Sequence, residues 1–325
     1  MHVMLLGTAA GGGFPQWNCW CPSCRVARST PSRARPRTQS SIAVSADGKR
    51  WFLCNASPDV REQVSRLPTD TPADDVTRSV PIEGVVLTDA ELDHSLGLVL
   101  LREARRLTVY ATEAVERILE RDTRILPTVR AFADVSVVRL PPSSAIPLRD
   151  RAGADVGLTV EAFDVGGDPP RFATDAGSGH TVGLIVREPA ADISLAFVPG
   201  VGMIDASLRD RLRGADMILF DGTFWSDDEL IALGISPATA YEIGHVPIGG
   251  AGGSLAALRA MAPARRVYTH INNSNPILVE DSAERRAVEE AGILVGMDGM
   301  RFTLGGLGDG LGQAGVRGTI SAERR

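Results

Sequence analysis

The chain has 325 residues, 44% of them apolar, with 34 glycines and a formal net charge of −6. That length leaves room for one large α/β domain or two smaller ones, with a sizeable core in either case. The acidic balance, with no basic run outside Arg25 to Arg37, argues against a nucleic-acid partner, and no stretch of about 18 uninterrupted apolar residues is present to span a bilayer.

Val3 to Gly7 reads as a first strand. The apolar start is too short for the core of a signal peptide and has no basic region before it, so a soluble, cytoplasmic protein is expected. Thr8 to Pro15 is a glycine-rich turn where backbone can approach something closely. It lacks the GK[ST] ending of a phosphate loop. Cys19, Cys21 and Cys24 follow at CxCxxC spacing. Three thiols so placed can converge on one Zn²⁺, with Zn–S bonds of about 2.3 Å; the alternative is reduced thiols packed in a loop. Cys54 has apolar neighbours and reads as a core cysteine. Ser40 to Ser45 and Trp51 to Asn55 form a hairpin over Asp47-Gly48, and a short helix runs from Pro58 through Arg66.

Val85-Val86-Leu87 reads as a buried strand that delivers Asp89, Glu91, Asp93 and His94 into the turn after it, with a helix from about Ser95 to Arg105. Three acids and an imidazole so close repel one another if all are charged, and a divalent cation stabilises such a cluster. The other reading is an acidic helix entrance. Leu107 to Ala111 is a further strand, and Pro127 to Pro170 is strand-like and turn-rich. Phe172 to Gly179 is a loop that delivers His180 to the strand Thr181 to Arg187. Ser194 to Pro199 is a strand, Asp205 to Gly214 a helix, and the buried strand from Met217 ends in Asp221. His245 and His270 each lie in a loop beside predicted elements, His270 just after a short strand. Four of the five histidines thus sit near strand ends, as Asp93 and Asp221 do, which points to one shared site. The stretch from Gly305 to Arg325 has little apolar content and is expected to be flexible.

Two likenesses rest on these residues. The order Asp89-Ala90-Glu91-Leu92-Asp93-His94, then Asp221 after a buried strand and His270 after another, is similar to the metallo-β-lactamase superfamily, whose first motif is H-x-H-x-D-H. Asp89 and Glu91 stand here where its two leading histidines belong. Gly7 to Cys19, Asn55 to Asp59, Leu87-Thr88-Asp89, Asp221 to Trp225 and His270 to Pro276 more closely resemble the family of pyrroloquinoline quinone (PQQ) biosynthesis B proteins, over most of the chain.

The resemblance implies an α/β fold, an αββα sandwich of two sheets flanked by helices, as one domain over 1–304 with an amino-terminal zinc turn. It implies Fe(II) held by Asp93, His94 and His270, with Asp221 able to join, since two histidines and a carboxylate with open positions suit non-haem iron. The implied activity is iron- and O₂-dependent hydroxylation of the tyrosine ring of a glutamate–tyrosine precursor. Asp89 and Glu91 would complete the coordination, hydrogen-bond the ligands or handle protons. His180 matches a further metal ligand and His245 a proton donor of the superfamily. A structural Zn²⁺ on Cys19, Cys21 and Cys24 finds Asn273 where superfamily phosphodiesterases carry a fourth, histidine ligand. Two other readings stay open: a hydrolase of the phosphodiesterase or lactonase type, and a non-catalytic carrier of PQQ or its precursor toward the periplasm, aided by other proteins of the pathway. Arginines around Arg33 to Arg37 could meet the carboxylates of such a ligand.

Overall fold

The structure, a computed structural model, describes residues 1–68, 72, 76–79, 81–175, 177–261 and 265–305. Of the tail expected to be flexible over 305–325, all but Gly305 lies outside the described residues. The strands in chain order are β1 (His2–Gly7), β2 (Ser41–Ser45), β3 (Trp51–Cys54), β4 (Ile82–Val86), β5 (Arg106–Ala111), β6 (Asp134–Arg139) and β7 (Ile146–Arg149). They continue with β8 (Asp155–Asp164), β9 (Val182–Glu188), β10 (Ile193–Val198), β11 (Met217–Asp221), β12 (Arg265–Thr269), β13 (Leu294–Val295) and β14 (Arg301–Thr303).

Most of these strands are buried on both faces, and the alternation along each one decides which core a side chain joins. In β1, Val3 and Leu5 face the second sheet, where they meet residues such as Leu195, Phe197 and Leu219. Met4 and Leu6 point the other way, into a core shared with Val115, Ile118 and Leu126. A third core joins the outer face of the second sheet, including Ile218, Phe220 and Tyr268, to Cys24, Leu208, Leu258 and Val288. The helices are α1 (Pro22–Ser29), α2 (Val60–Val64), α3 (Leu92–Ser95), α4 (Gly97–Leu100), α5 (Glu113–Arg121), α6 (Ile125–Arg130), α7 (Ala206–Leu212), α8 (Glu229–Ala232), α9 (Ser254–Arg259) and α10 (Ala283–Glu290), of which α1, α7, α9 and α10 supply those last side chains. The result is the αββα sandwich, with α5 and α6 on one outer face and α1, α7, α9 and α10 on the other. Among the described residues, no helix is long and apolar enough to cross a membrane.

Each sheet has seven strands and is part parallel: β3, β4, β5 and β6 run together in one, and β10 to β13 in the other. Parallel strands bring their carboxyl ends to one edge, where crevices form. Asn55, Asp89, Asp221 and His270 all lie at or just beyond such ends.

Two expectations are corrected. The helix after β4 begins at Leu92, not near Ser95, so Asp93 and His94 sit in its first turn and not in the loop before it. An acid in a first turn is stabilised by the exposed N–H groups there. That helix also stops at Leu100, not Arg105, and divides at Leu96, just before Gly97. Gly97 packs so tightly on the carbonyls of Ala56 and Ser57 that an added Cβ would lie 2.6 and 2.3 Å from their oxygens. Within the stretch read as strand and turn, α6 runs through Pro127. Pro127 is its third residue, where no intrahelical partner for an N–H is lost.

Candidate metal centre

The site begins where β4 ends. Asn55, buried and held at φ 67°, donates from Nδ2 to the Thr88 hydroxyl at 2.9 Å and accepts the Thr88 N–H at 3.0 Å, which fixes the turn. Asp89 then accepts three hydrogen bonds: from the Thr88 hydroxyl at 2.7 Å, from the Glu91 N–H at 2.9 Å, and from His94 Nδ1, 2.7 Å from Oδ2. An ionised carboxylate can only accept, so His94 carries a proton on Nδ1 and turns Nε2 away from Asp89. That Nε2 is buried and has no hydrogen-bond partner. Burial works against a charged imidazole, yet Asp89 and Asp93 push His94 up to about 9, so a cation bound there displaces a proton. Glu91 is the least committed acid of the cluster. Burial first, then the charges of Asp89 and Asp93, raise it to about 7.

The opposite wall comes from β11 and β12. Asp221 is fully buried: Oδ1 accepts the N–H and the hydroxyl of Thr223, and Oδ2 accepts the Val201 N–H at 3.0 Å and Nδ1 of His245 at 2.7 Å. His270 follows β12 at φ 53°, a conformation that non-glycine residues seldom adopt. Its Nδ1 lies 2.9 Å from Thr223 Oγ1. Since the one Thr223 proton goes to Asp221 at 2.5 Å, the threonine oxygen accepts from His270 and leaves His270 Nε2 free for the cavity. His245 stacks on His270 with centroids 5.5 Å apart, and His94 meets His270 edge-on at 5.0 Å.

Asp93 closes the group. Its Oδ2 is 3.2 Å from His270 Nε2 and 3.8 Å from His94 Nε2. Burial would raise Asp93, but the two imidazoles hold it well below the usual carboxylate range. Ligand atoms each about 2.1 Å from one ion stand about 3.0 Å apart at a right angle and about 3.4 Å apart tetrahedrally, so this triad is close to the spacing an ion needs. The unpartnered, buried His94 Nε2 is what such an ion would satisfy. Asp221, His245 and His270 form a second group within reach of one ion, sharing His270. There the 2.7 Å contact of Asp221 with His245 is a hydrogen bond, and both Asp221 oxygens are already engaged.

The structure thus arranges the expected residues as two groups that share His270. Asp221, expected to be able to join Asp93, His94 and His270, falls in the second group with His245 and His270, where it accepts from His245. His180 joins neither group among the described residues; its Nδ1 lies 3.1 Å from the hydroxyl of Thr181, next to it in the chain. The arginines expected to meet a ligand are committed elsewhere. Arg33 pairs with Asp281 at 2.8 Å, Arg35 contacts Met297, and Arg37 is buried against Thr8 and Gly296.

A second candidate site lies on the amino-terminal turn. Cys19, Cys21 and Cys24 bring their sulfurs within 4.8 Å of one another at the start of α1. The Cys21 thiol, donating to Cys24, holds Cys24 down to about 5, and Cys21 is pushed up in return. One thiolate forms easily, a second does not, and a cation relieves that conflict. Asn273 reaches the trio: its Nδ2 is 3.4 Å from Cys24 Sγ and its carbonyl oxygen 3.5 Å from Cys21 Sγ. Ser23 also contacts the carbonyls of Ser274 and Asn275 at 3.4 Å, which ties the turn to the His270 loop. Cys54 is buried in β3, where burial pushes its thiol up to about 12.

The histidines open on a cavity of about 660 Å³, within the range of small-molecule sites. Asp89, Glu91, Asp93 and Asp168 make its walls acidic, Phe224 and Ile243 add apolar surface, and Arg171 lines it too. Sequence reasoning gave no role to Thr223, Asn55 or Arg171. The first two lie within the Asn55 to Asp59 and Asp221 to Trp225 motifs without a distinguishing pattern of their own, and Arg171 sits in a loop with no motif at all.

Residues 50–271 match the model of the β-lactamase superfamily domain. The chain is 44% identical over 312 residues to the coenzyme PQQ synthesis protein B of Methylobacterium radiotolerans, covering 94% of this chain and 100% of the relative. With that of Gluconobacter oxydans it shares 43% over 316 residues, covering 94% and 99%. The crystal structure of Zn²⁺-bound PqqB from Methylobacterium extorquens superposes with a TM-score of 0.83 at 40% identity, over 94% of this chain and 100% of that one. A diphosphatase of the PhnP family shares the fold, with a TM-score of 0.63 at 22% identity over 93% and 97%.

Proposed function

Because the chain belongs to the β-lactamase superfamily and, within it, to the coenzyme PQQ synthesis protein B family, we propose that it acts in PQQ biosynthesis as an Fe(II)- and O₂-dependent hydroxylase of the tyrosine ring of a glutamate–tyrosine precursor. The observation that carries this reading is the donor set: Asp93 Oδ2, His94 Nε2 and His270 Nε2 face one point, with Asp89 engaged behind His94 and no imidazole at Glu91. Two histidines and one carboxylate with open positions suit iron, whereas a water-activating dizinc centre needs the histidines that Asp89 and Glu91 replace. When bound, Fe(II) supplies the activation of O₂ for ring hydroxylation.

The chain's own residues do the rest. Asp89 and Thr223 orient the imidazoles of His94 and His270. Glu91, on the cavity wall with its carboxyl raised to about 7, is the group that takes up or returns a proton near the ring hydroxyl. His245, held by Asp221, stands beside His270 as a second proton-handling group. Phe224 and Ile243 give the ring an apolar wall. Cys19, Cys21 and Cys24, with Asn273 beside them, hold a structural Zn²⁺ that locks the amino-terminal turn to the His270 loop.

Protein purified without oxygen and reconstituted with Fe(II) tests both sites. The reading expects about one zinc and one iron per chain, and oxygen uptake on adding a glutamyl-tyrosine peptide. His270→Ala should lose iron and uptake while keeping zinc, and Cys24→Ser should lose zinc. Zinc alone with no uptake would leave a non-catalytic carrier as the better description.

A further inference from the structure

We infer that Arg171 binds a carboxylate of the substrate and so sets how the ring lies relative to Asp93, His94 and His270. This rests on the proposed reading of the site only for the identity of the substrate. The position of Arg171 is independent of it.

Arg171 lines the same cavity as the three candidate ligands. Among the described residues it makes no hydrogen bond and no ion pair, while other arginines are held by acids: Arg139 by Glu113 and Glu116, and Arg285 by Glu280 and Glu289. The cavity walls carry Asp89, Glu91, Asp93 and Asp168; the charge of Arg171 is felt at Glu91, but none of these acids closes to an ion pair with it. An anionic ligand entering this cavity is repelled by its four acids and finds one planar cationic fork, which matches a carboxylate with two parallel N–H donors.

The segment that carries Arg171 is well placed. After β8, Gly166 and Gly167 adopt φ of 66° and 122°, and the Gly166 N–H is held by Asp164 at 2.8 Å. A Cβ added to Gly202 would stand 2.7 Å from the Gly167 nitrogen, so the two backbones touch. A side chain at Gly202 would force these two backbones apart. Phe224 and Ile243 add apolar surface to the same cavity. The cavity thus offers a ring apolar surface beside the histidines and offers an anion the guanidinium of Arg171. A molecule that joins a phenol to one or more carboxylates carries both groups.

The test compares wild type, Arg171→Gln and Arg171→Lys, with a glutamyl-tyrosine peptide and with the same peptide amidated at its carboxylates. Binding is measured by calorimetry without oxygen, and turnover by oxygen uptake. Arg171→Gln should weaken binding of the acidic peptide about 10- to 100-fold, raising KM more than it lowers kcat, with metal content and Tm unchanged. The amidated peptide should bind wild type and variant equally weakly, and Arg171→Lys should fall between. Equal affinity of wild type and Arg171→Gln for the acidic peptide overturns the inference, even if uptake is normal. Arg171-dependent binding without any oxygen uptake sustains it and removes the hydroxylase reading. Absence of binding by the wild type removes both.

Discussion

Two carboxylates, Asp89 and Asp221, stand in the same relation to two imidazoles. Each accepts from Nδ1 at 2.7 Å, fixes the ring and leaves Nε2 toward the cavity. At the scale of single residues this is why a side chain that touches no substrate still matters: a ligand whose far nitrogen is anchored is better oriented and more basic. Asp89→Asn keeps the shape and removes the charge. It should weaken metal binding roughly 10- to 100-fold with little change in Tm, as read by competition with a coloured chelator. Unchanged affinity would mean that Asp89 is only a turn residue. Thr223 serves His270 in a similar way, with one hydroxyl between Asp221 and the imidazole.

Among the elements, the short helix α8 holds the loop after His270. Glu229, in its first turn, accepts the Trp225 N–H at 2.6 Å and the hydroxyl of Ser274. Burial outweighs these bonds and raises the Glu229 carboxyl from its ordinary 4.5 to about 7. The native protein therefore binds a proton more tightly than the unfolded chain between those values. This contribution, roughly 3 kcal/mol at most, is complete below about pH 4.5, falls as pH rises beyond that, and is gone above about 7. Denaturant titrations of wild type and Glu229→Gln from pH 5 to 8 should diverge: the wild type loses more stability with rising pH than the variant does. Parallel curves would show that Glu229 ionises normally in the folded state.

For the whole molecule, the two sheets meet across a core to which each contributes alternate side chains, and the centre edge exists only while they stay in register. Phe197 in β10 is fully buried in that core. Phe197→Ala should cost about 3–5 kcal/mol by lost burial and the cavity left behind, measured by urea unfolding. It should also lower metal affinity, because Asp93 and His94 are carried by the short helix that follows β4 of one sheet and His270 by the turn that follows β12 of the other. A destabilised protein with full metal affinity would show that the ligand loops hold their geometry without the sheets behind them.

The sequence by itself determined most of the strands, because burial on both faces writes long apolar runs, and it determined which residue types collect at their ends. It marked Asp93, His94 and His270, and it marked the three cysteines by spacing alone. The start of α3 was misplaced, since an acidic first turn reads equally well as loop. Tertiary structure alone decided the pairing. Asp221 reaches His245 across 24 positions in the chain, and Thr223 reaches His270 across 47. Asn273 meets Cys24 across 249. No local pattern encodes contacts of that span, because they depend on which strand ends the packing of two sheets brings together. For the same reason Arg171, unmarked in the sequence, lines the cavity, while Arg33 to Arg37, the evident basic cluster, is held elsewhere.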